Sequence, residues 1–219
     1  MEADPYNHPK SIHALPGKIY PKSESKWITH ISYQGYDPEN IAGMILNYKK
    51  PVILDASGYE GNLLNIDWGN LTAEECTRRC WVSVINGGYY THGESYTSKK
   101  QDPFSIDNTD GLFFWKGGVL SGESYKRMHY LKNIIDERLT EPLINTDKYT
   151  ARAGNNFILT YFGNDIIIQY NMDLPKENYK IDIIDTWGMT VISSINSPGG
   201  KVTISLPSQK YLAISAYKY

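Results

Sequence analysis

Acidic and imidazole side chains recur in this chain where apolar runs give way to glycine-bearing loops. The clearest case is PVILDASGYEGN, residues 51–62. Val52, Ile53 and Leu54 signal a buried strand; Asp55, Ser57, Gly58, Tyr59, Glu60 and Gly61 then crowd into a turn. Where strands alternate with helices around a barrel, side chains at the C-terminal strand ends do the chemistry. Asp55, Tyr59 and Glu60 are therefore candidate site residues. A second group is His92-Gly93-Glu94, in which strand alternation puts His92 and Glu94 on one side. Such a pair can hold sugar hydroxyls or a metal ion, or make structural hydrogen bonds. A metal needs further ligands, for which His13 and His30 are the candidates; the reading adopted is no metal and no cofactor. Gln34 closes another apolar run, and Trp68 and Trp115 lie in strand-end loops, as sugar platforms or as plugs of the loop.

These residues need elements to position them. WITHISYQ (27–34) reads as a strand carrying His30 and Gln34. Asp37 with Pro38 starts a helix, and Ile41, Met44, Ile45 and Tyr48 form its apolar stripe. The strand 51–55 follows. Thr72 and Glu75 form a capping box for a helix running to about Asn86, with Cys76, Cys80, Trp81 and Val84 on one face. YYTHGESY (89–96) reads as a strand, 97–120 as a long loop with the aromatic knot Leu112-Phe113-Phe114-Trp115, and Ser121 as the start of a last helix that Pro142 closes. From about Asn145 helical periodicity stops. Short β-rich runs at 157–162, 166–170, 179–185, 189–194, 201–206 and 211–217 alternate with Gly, Pro, Asn and Ser turns, the pattern of an antiparallel sandwich. The expected fold is α/β plus all-β. Residues 1–144 carry β/α units with parallel strands and right-handed crossovers, and residues 145–219 carry a small β-sandwich.

Composition narrows the function. A net charge of −2 over 219 residues leaves no electrostatic footprint for nucleic acid or an anionic membrane, and no apolar run approaches the roughly 20 residues that span a bilayer. The opening MEADPYNHPK is polar, without the apolar segment of a secretion signal; localisation stays open. Cys76 and Cys80, four apart on a helix, suit free thiols better than a disulfide. Eighteen Tyr and five Trp are many for this length, and their faces suit both cores and sugar stacking.

Taken together, several motifs resemble one family, the apiosidase-like glycoside hydrolases. They are Ser11-Ile12-His13, Trp27-Ile28-Thr29-His30, Lys50-Pro51-Val52-Ile53, Tyr59-Glu60-Gly61-Asn62, Trp68-Gly69-Asn70-Leu71, Thr91-His92-Gly93-Glu94, Trp115-Lys116-Gly117-Gly118 and Ile184-Asp185-Thr186-Trp187-Gly188-Met189-Thr190. The resemblance implies a (β/α)8 barrel of the retaining clan A type with an appended C-terminal β-sandwich, acting on plant-type polysaccharides. It covers nearly the whole chain but only the last barrel strands, six to eight with the end of five. The family's proton donor lies on an earlier strand, so an N-terminal half-barrel chain is an implied partner beside carbohydrate. At strand seven the family has Asp-Glu with Glu as nucleophile; here the pair is Asp55-Ala56. A methyl group cannot attack an anomeric carbon, and a retaining mechanism needs two carboxyls about 5–5.5 Å apart. The resemblance thus implies a fragment inactive by itself, with His13, His30, Gln34, Asp55, Tyr59, Glu60, Trp68, His92, Glu94 and Trp115 in the substrate pocket. The alternative is a non-catalytic carbohydrate-binding or structural accessory protein.

Overall fold

The computed structural model describes residues 4–13, 26–96 and 120–219. The first strand, β1, is Ile31–Gln34, shorter than the 27–34 run the sequence suggests. A 3-10 turn at Pro38–Asn40 leads into α1 (Ile41–Tyr48). The Asp37 carboxylate makes no capping bond to the backbone; Asn40 donates its side-chain Nδ2 to Asp37 Oδ2 at 2.7 Å instead. Lys49 ends α1 in the left-handed region, φ 51°. Next come β2 (Val52–Ala56), the two-residue β3 (Glu60–Gly61) and α2 (Ala73–Ile85). Thr72 Oγ1 accepts from the Glu75 amide at 3.2 Å, as the capping signal implies. The Glu75 carboxylate turns instead to Arg78 and Arg79. Thr72→Ala should therefore cost about 1 kcal/mol, read by urea unfolding.

The run 89–96 breaks into β4 (Tyr89–Tyr90) and β5 (Glu94–Ser95). The last helix, α3, is Ser124–Arg138 and starts three residues beyond the expected Ser121. Its buried apolar positions are Leu131 and Ile134, with Met128 and Ile135 beside them.

Strands β1, β2 and β4 lie side by side in chain order, all parallel, and His13 adds a parallel bridge to Ser32 on the outer side of β1. Sequential order with right-handed crossovers puts α1 and α2 on the same face of this sheet. Tyr90 marks that face. It packs both against the cluster Ile28, Ile31, Ile41, Val52 and Leu54 and against the cluster under α2 and α3. An apolar groove of about 820 Å³ runs beside β4, lined by Tyr89, Tyr90, Met128, Leu131 and Ile135 among others.

The remaining strands are β6 (Ile144–Asn145), β7 (Thr150–Ala153), β8 (Phe157–Tyr161), β9 (Gln169–Leu174), β10 (Tyr179–Asp185), β11 (Thr190–Ser197), β12 (Gly200–Ser205) and β13 (Leu212–Lys218). Six of them form an antiparallel sheet in the order β11-β10-β13-β8-β7-β6, and β12 pairs with β9. The expected strand at 166–170 begins later, because antiparallel pairing with β12 runs from Gln169 to Leu174. Its first residues, Ile166 and Ile168, are exposed. β7 was not legible: Thr-Ala-Arg-Ala has no β-branched alternation. Its two alanines are fully buried, in one apolar cluster with Trp81.

Both faces of the six-stranded sheet are covered. One packs on β9 and β12 through Ile158, Ile181, Ile183, Met172, Leu174 and Ile204. The other packs on α2 and α3 through Trp81, Leu131, Phe157, Leu159 and Tyr161. A strand buried on both sides reads as a continuous apolar run, and all five residues of β8 are buried. Trp81 is completely buried, its ring centroid 5.0 Å from that of Tyr161. Trp187, between β10 and β11, is half-buried. The Arg127 guanidinium of α3 stacks on its ring at 3.8 Å, so it joins helix to sheet at their rim. No helix among the described residues is long and apolar enough to cross a membrane.

Candidate functional site

The face of the parallel sheet opposite the helices carries a polar cluster at the strand ends. Asp55, next to last in β2, accepts from the Ser32 hydroxyl through Oδ2, and its Oδ1 lies 2.9 Å from His13 Nδ1. The same His13 nitrogen is 2.8 Å from Ser32 Oγ. Ser32 is buried, and Ser11 Oγ accepts from its amide. This is a Ser, His and Asp in contact, but not a nucleophile relay. The serine proton goes directly to the carboxylate, and a single imidazole nitrogen faces both partners. Such an arrangement fixes the orientation of Asp55.

Ala56 closes β2, opposite Gln34, after a register slip between Tyr33 and Gln34. It presents only a methyl group. Gln34 Oε1 is buried and has no hydrogen-bond partner among the described residues. His30 precedes β1, whereas Gln34 ends it. A strand rises about 3.3 Å per residue, so the two lie at opposite ends of β1 and do not share a pocket mouth. The His30 ring rests 3.1 Å from Thr29 Oγ1.

Beyond β2, Tyr59 packs edge-to-face on Trp68, with ring centroids 5.7 Å apart. The Tyr59 amide donates to the Trp68 carbonyl at 2.6 Å. Burial, with the Asp55 charge added, raises the Tyr59 phenol above its usual value. Gly93 makes room for this ring, since a Cβ there would lie 2.0 Å from it. Trp68 is thus engaged with its own loop. Trp115 lies outside the described residues.

Glu60 is no turn residue. It sits on β3, directly beside Glu94 on β5, and both are buried. Four consecutive amides at the entrance to α3 are divided between these two carboxylates. Glu94 Oε2 accepts from Ser121 N at 2.8 Å and Gly122 N at 3.1 Å. Glu60 accepts from Glu123 N at 2.8 Å and Ser124 N at 2.9 Å, and also from the Ser124 and Tyr96 hydroxyls. His92 Nε2 completes the set, 3.0 Å from Glu94 Oε1. Helix N-termini leave amides without intrahelical partners and attract negative charge; this is why α3 begins at Ser124 rather than Ser121. Burial alone would raise the Glu60 carboxyl. The Ser124 hydroxyl, the two amides and Tyr96 outweigh it and hold the group below the usual carboxylate range.

Gly122 is required by this packing. A Cβ there would lie 2.5 Å from the Glu60 carboxylate, which its four donors hold in place. Gly122→Ala should destabilise the chain by about 1–3 kcal/mol, visible as a lower urea midpoint with the slope unchanged.

A second buried network lies beneath the site. The Ser57 hydroxyl donates to Tyr90 Oη at 2.8 Å, and Arg79 donates to the Ser57 carbonyl. Cys76 and Cys80 are free and buried, and burial pushes both thiols up to about 12, the chemistry of inert packing thiols. Among the described residues no group of three or more His, Cys, Asp or Glu side chains comes together as a metal site.

The structure therefore brings His13, Gln34, Asp55, Tyr59 and Trp68 toward the strand ends and groups Glu60, His92 and Glu94 around α3. It separates His30 from both. Sequence reading missed Ser32, Tyr96 and Ser124. One available signal was that buried carboxylates need donors, and Ser121-Gly122-Glu123-Ser124 supplies them.

Comparison with known proteins bears on the whole arrangement. Residues 147–216 match a family described as a domain of unknown function, DUF5605. No curated protein matches the chain. A putative glycoside hydrolase from Bacteroides vulgatus ATCC 8482, solved as a crystal structure, is 29% identical and superposes with a TM-score of 0.82 over 100% of this chain and 46% of its own. A glycoside hydrolase family 5 structure from the same organism is 13% identical, with a TM-score of 0.66 over 96% of this chain and 55% of its own. A further structure named glycoside hydrolase is 14% identical, with a TM-score of 0.56 over 89% of this chain and 53% of its own. The chain spans about half the length of the structures it matches. In fold, this chain is similar to these glycoside hydrolase structures.

Proposed function

We propose that this chain is the C-terminal part of an apiosidase-like glycoside hydrolase, an arc of a (β/α)8 barrel joined to a β-sandwich at residue 145. The carrying observation is the match along the entire chain to a putative glycoside hydrolase at 29% identity. The singly wound order β1-β2-β4, with its helices on one face, agrees with a barrel arc rather than an open doubly wound sheet. The substrate reading is plant-type polysaccharide, held at the strand ends by Asp55, Gln34, His13 and Tyr59.

Catalysis in this reading fails at Ala56. Asp55 is adjacent but turned to Ser32 and His13, and Glu60 is committed to α3. The complete enzyme would protonate the leaving oxygen with one carboxyl and form a glycosyl-enzyme with the strand-seven glutamate. Among the described residues no carboxylate is free for the second role. Aryl-glycosides and pectic oligosaccharides should give no turnover above background, and robust hydrolysis would refute the reading. Titration calorimetry with the same oligosaccharides should show weak binding that Asp55→Ala or Gln34→Ala removes. The groove beside β4 suits an N-terminal half-barrel chain as partner, since it is apolar and borders a strand edge. Co-purification with such a segment tests that part.

A second reading has a specific observation in its favour. Glu60 and Glu94 spend their hydrogen bonds on the protein itself, as in a structural accessory unit that braces a barrel. Silence across a glycan panel, with a stable fold, would favour it.

A further inference from the structure

The stretch matched to a family of unknown function, residues 147–216, carries more apolar surface than its own strands cover. An antiparallel sheet with one solvated face alternates apolar and polar residues along each strand. β8 does not alternate. Ile158 joins the core shared with β9 and β12, whereas Phe157, Leu159 and Tyr161 join a second core on the opposite face, and all four are buried. Ala151 and Ala153 of β7, Ile184 of β10 and Ala213 of β13 lie in that second core as well. The rest of its buried residues come from outside the matched stretch: Cys80, Trp81 and Ile85 of α2, and Leu131 and Ile134 of α3.

Polar contacts grip the same two helices at their ends. Near the start of α3, the Arg127 guanidinium stacks on the Trp187 ring and donates to the Trp187 carbonyl at 3.2 Å. At the end of α3, Arg138 donates to Asp182 and Ser215 and stacks on Tyr217. At the end of α2, Asn145 Nδ2 donates to the Ile85 carbonyl at 3.1 Å. Without the helix pair, Phe157, Leu159 and Tyr161 would form an exposed apolar patch on a sheet that must bury it.

We propose that the role of residues 147–216 is to hold α2 and α3. The six-stranded sheet is the docking surface for this helix pair, and sheet and helices open and fold as one cooperative unit. The passage from helix to strand near Asn145 is then a change of secondary structure, not a boundary between independently folding parts. This role is independent of any chemistry at the strand ends, so a chain that binds no sugar leaves it standing.

Hydrogen exchange on the full chain tests it. Ile158→Ala is the informative variant, because the core that holds Ile158 contains no residue of either helix. Truncating a buried isoleucine should speed opening of the sheet by more than about tenfold. Amides of α2 and α3 should accelerate to the same extent as those of β8 and β13. Helices whose exchange is unchanged while that of the sheet accelerates would overturn the proposal. Should the variant lose its fold by circular dichroism, exchange of the wild type in sub-denaturing urea decides. The slowest amides of α2, α3, β8 and β13 should converge on one urea dependence; separate dependences for helices and sheet reject the proposal.

Discussion

Glu60→Ala is expected to destabilise the chain by about 3–5 kcal/mol, because it strips a buried acceptor from two amides and two hydroxyls at once. For a chain of this length that is about 10 °C in the unfolding midpoint. Loss should be greatest at α3, where hydrogen exchange of the Glu123 and Ser124 amides would report it. The effect has a pH signature. The folded carboxyl is held below its usual range by the Ser124 hydroxyl, the amides of Glu123 and Ser124, and Tyr96, against burial. A carboxyl depressed in the folded state contributes its stabilisation above the unfolded pKa and loses it as pH falls through the folded one. The difference between wild type and Glu60→Gln should therefore be constant near neutrality and shrink in acid, below about pH 4. A gap that stays constant into acid would show that Glu60 acts through shape alone. If Glu60 instead served mainly to grip a ligand, Glu60→Ala would leave stability nearly unchanged.

The second large effect concerns Asp182, a buried charge in the middle of β10. Ser194 Oγ donates to it at 2.6 Å and Arg138 Nη2 at 3.0 Å. Arg138, at the end of α3, also donates to Ser215 and stacks on Tyr217 with its guanidinium carbon 4.1 Å from the ring centroid. Taking one partner from such a pair leaves an uncompensated buried charge, so Asp182→Ala should cost about 3–5 kcal/mol. Replacing both charges together, Arg138→Met with Asp182→Leu, should recover most of that loss, since buried pairs add little over well-packed apolar groups. A double variant as unstable as Asp182→Ala would show that the Ser194 and Ser215 contacts, not the charge balance, carry the anchorage. Calorimetric melting of the four proteins of the cycle measures this directly.

These two sites, Glu60 at its start and Arg138 at its end, clamp α3 between the parallel sheet and the antiparallel one. Neither clamp is visible in local sequence. Glu60 finds its donors 63 and 64 residues away, and Arg138 finds Asp182 44 residues away. Spacing rules describe neighbours along an element and are silent at such separations.

What the sequence determined by itself is the order and kind of the elements. Apolar residues at helical spacing were enough for α1, α2 and α3, Thr72 marked the start of α2, and the change of period near Asn145 marked the passage to β structure. Periodicity is local, so a chain carries it without knowing its neighbours. The tertiary structure decided everything that depends on who the neighbour is. β1 starts only where Val52 pairs with Ile31, which leaves His30 outside the strand. β7 is defined by its pairing with β8 and β6, while Ala151 and Ala153 are buried in one cluster with Trp81. Glu60, read as a pocket residue from its place in a glycine-bearing loop, became the cap of a distant helix because a buried carboxylate must find donors, and the nearest free amides were those of α3. That position 56 holds an alanine, where the family this sequence resembles has a glutamate, was legible in one letter. The commitment of the remaining carboxylates, Asp55 to Ser32 and His13 and Glu60 to α3, could be read only once the chain had folded.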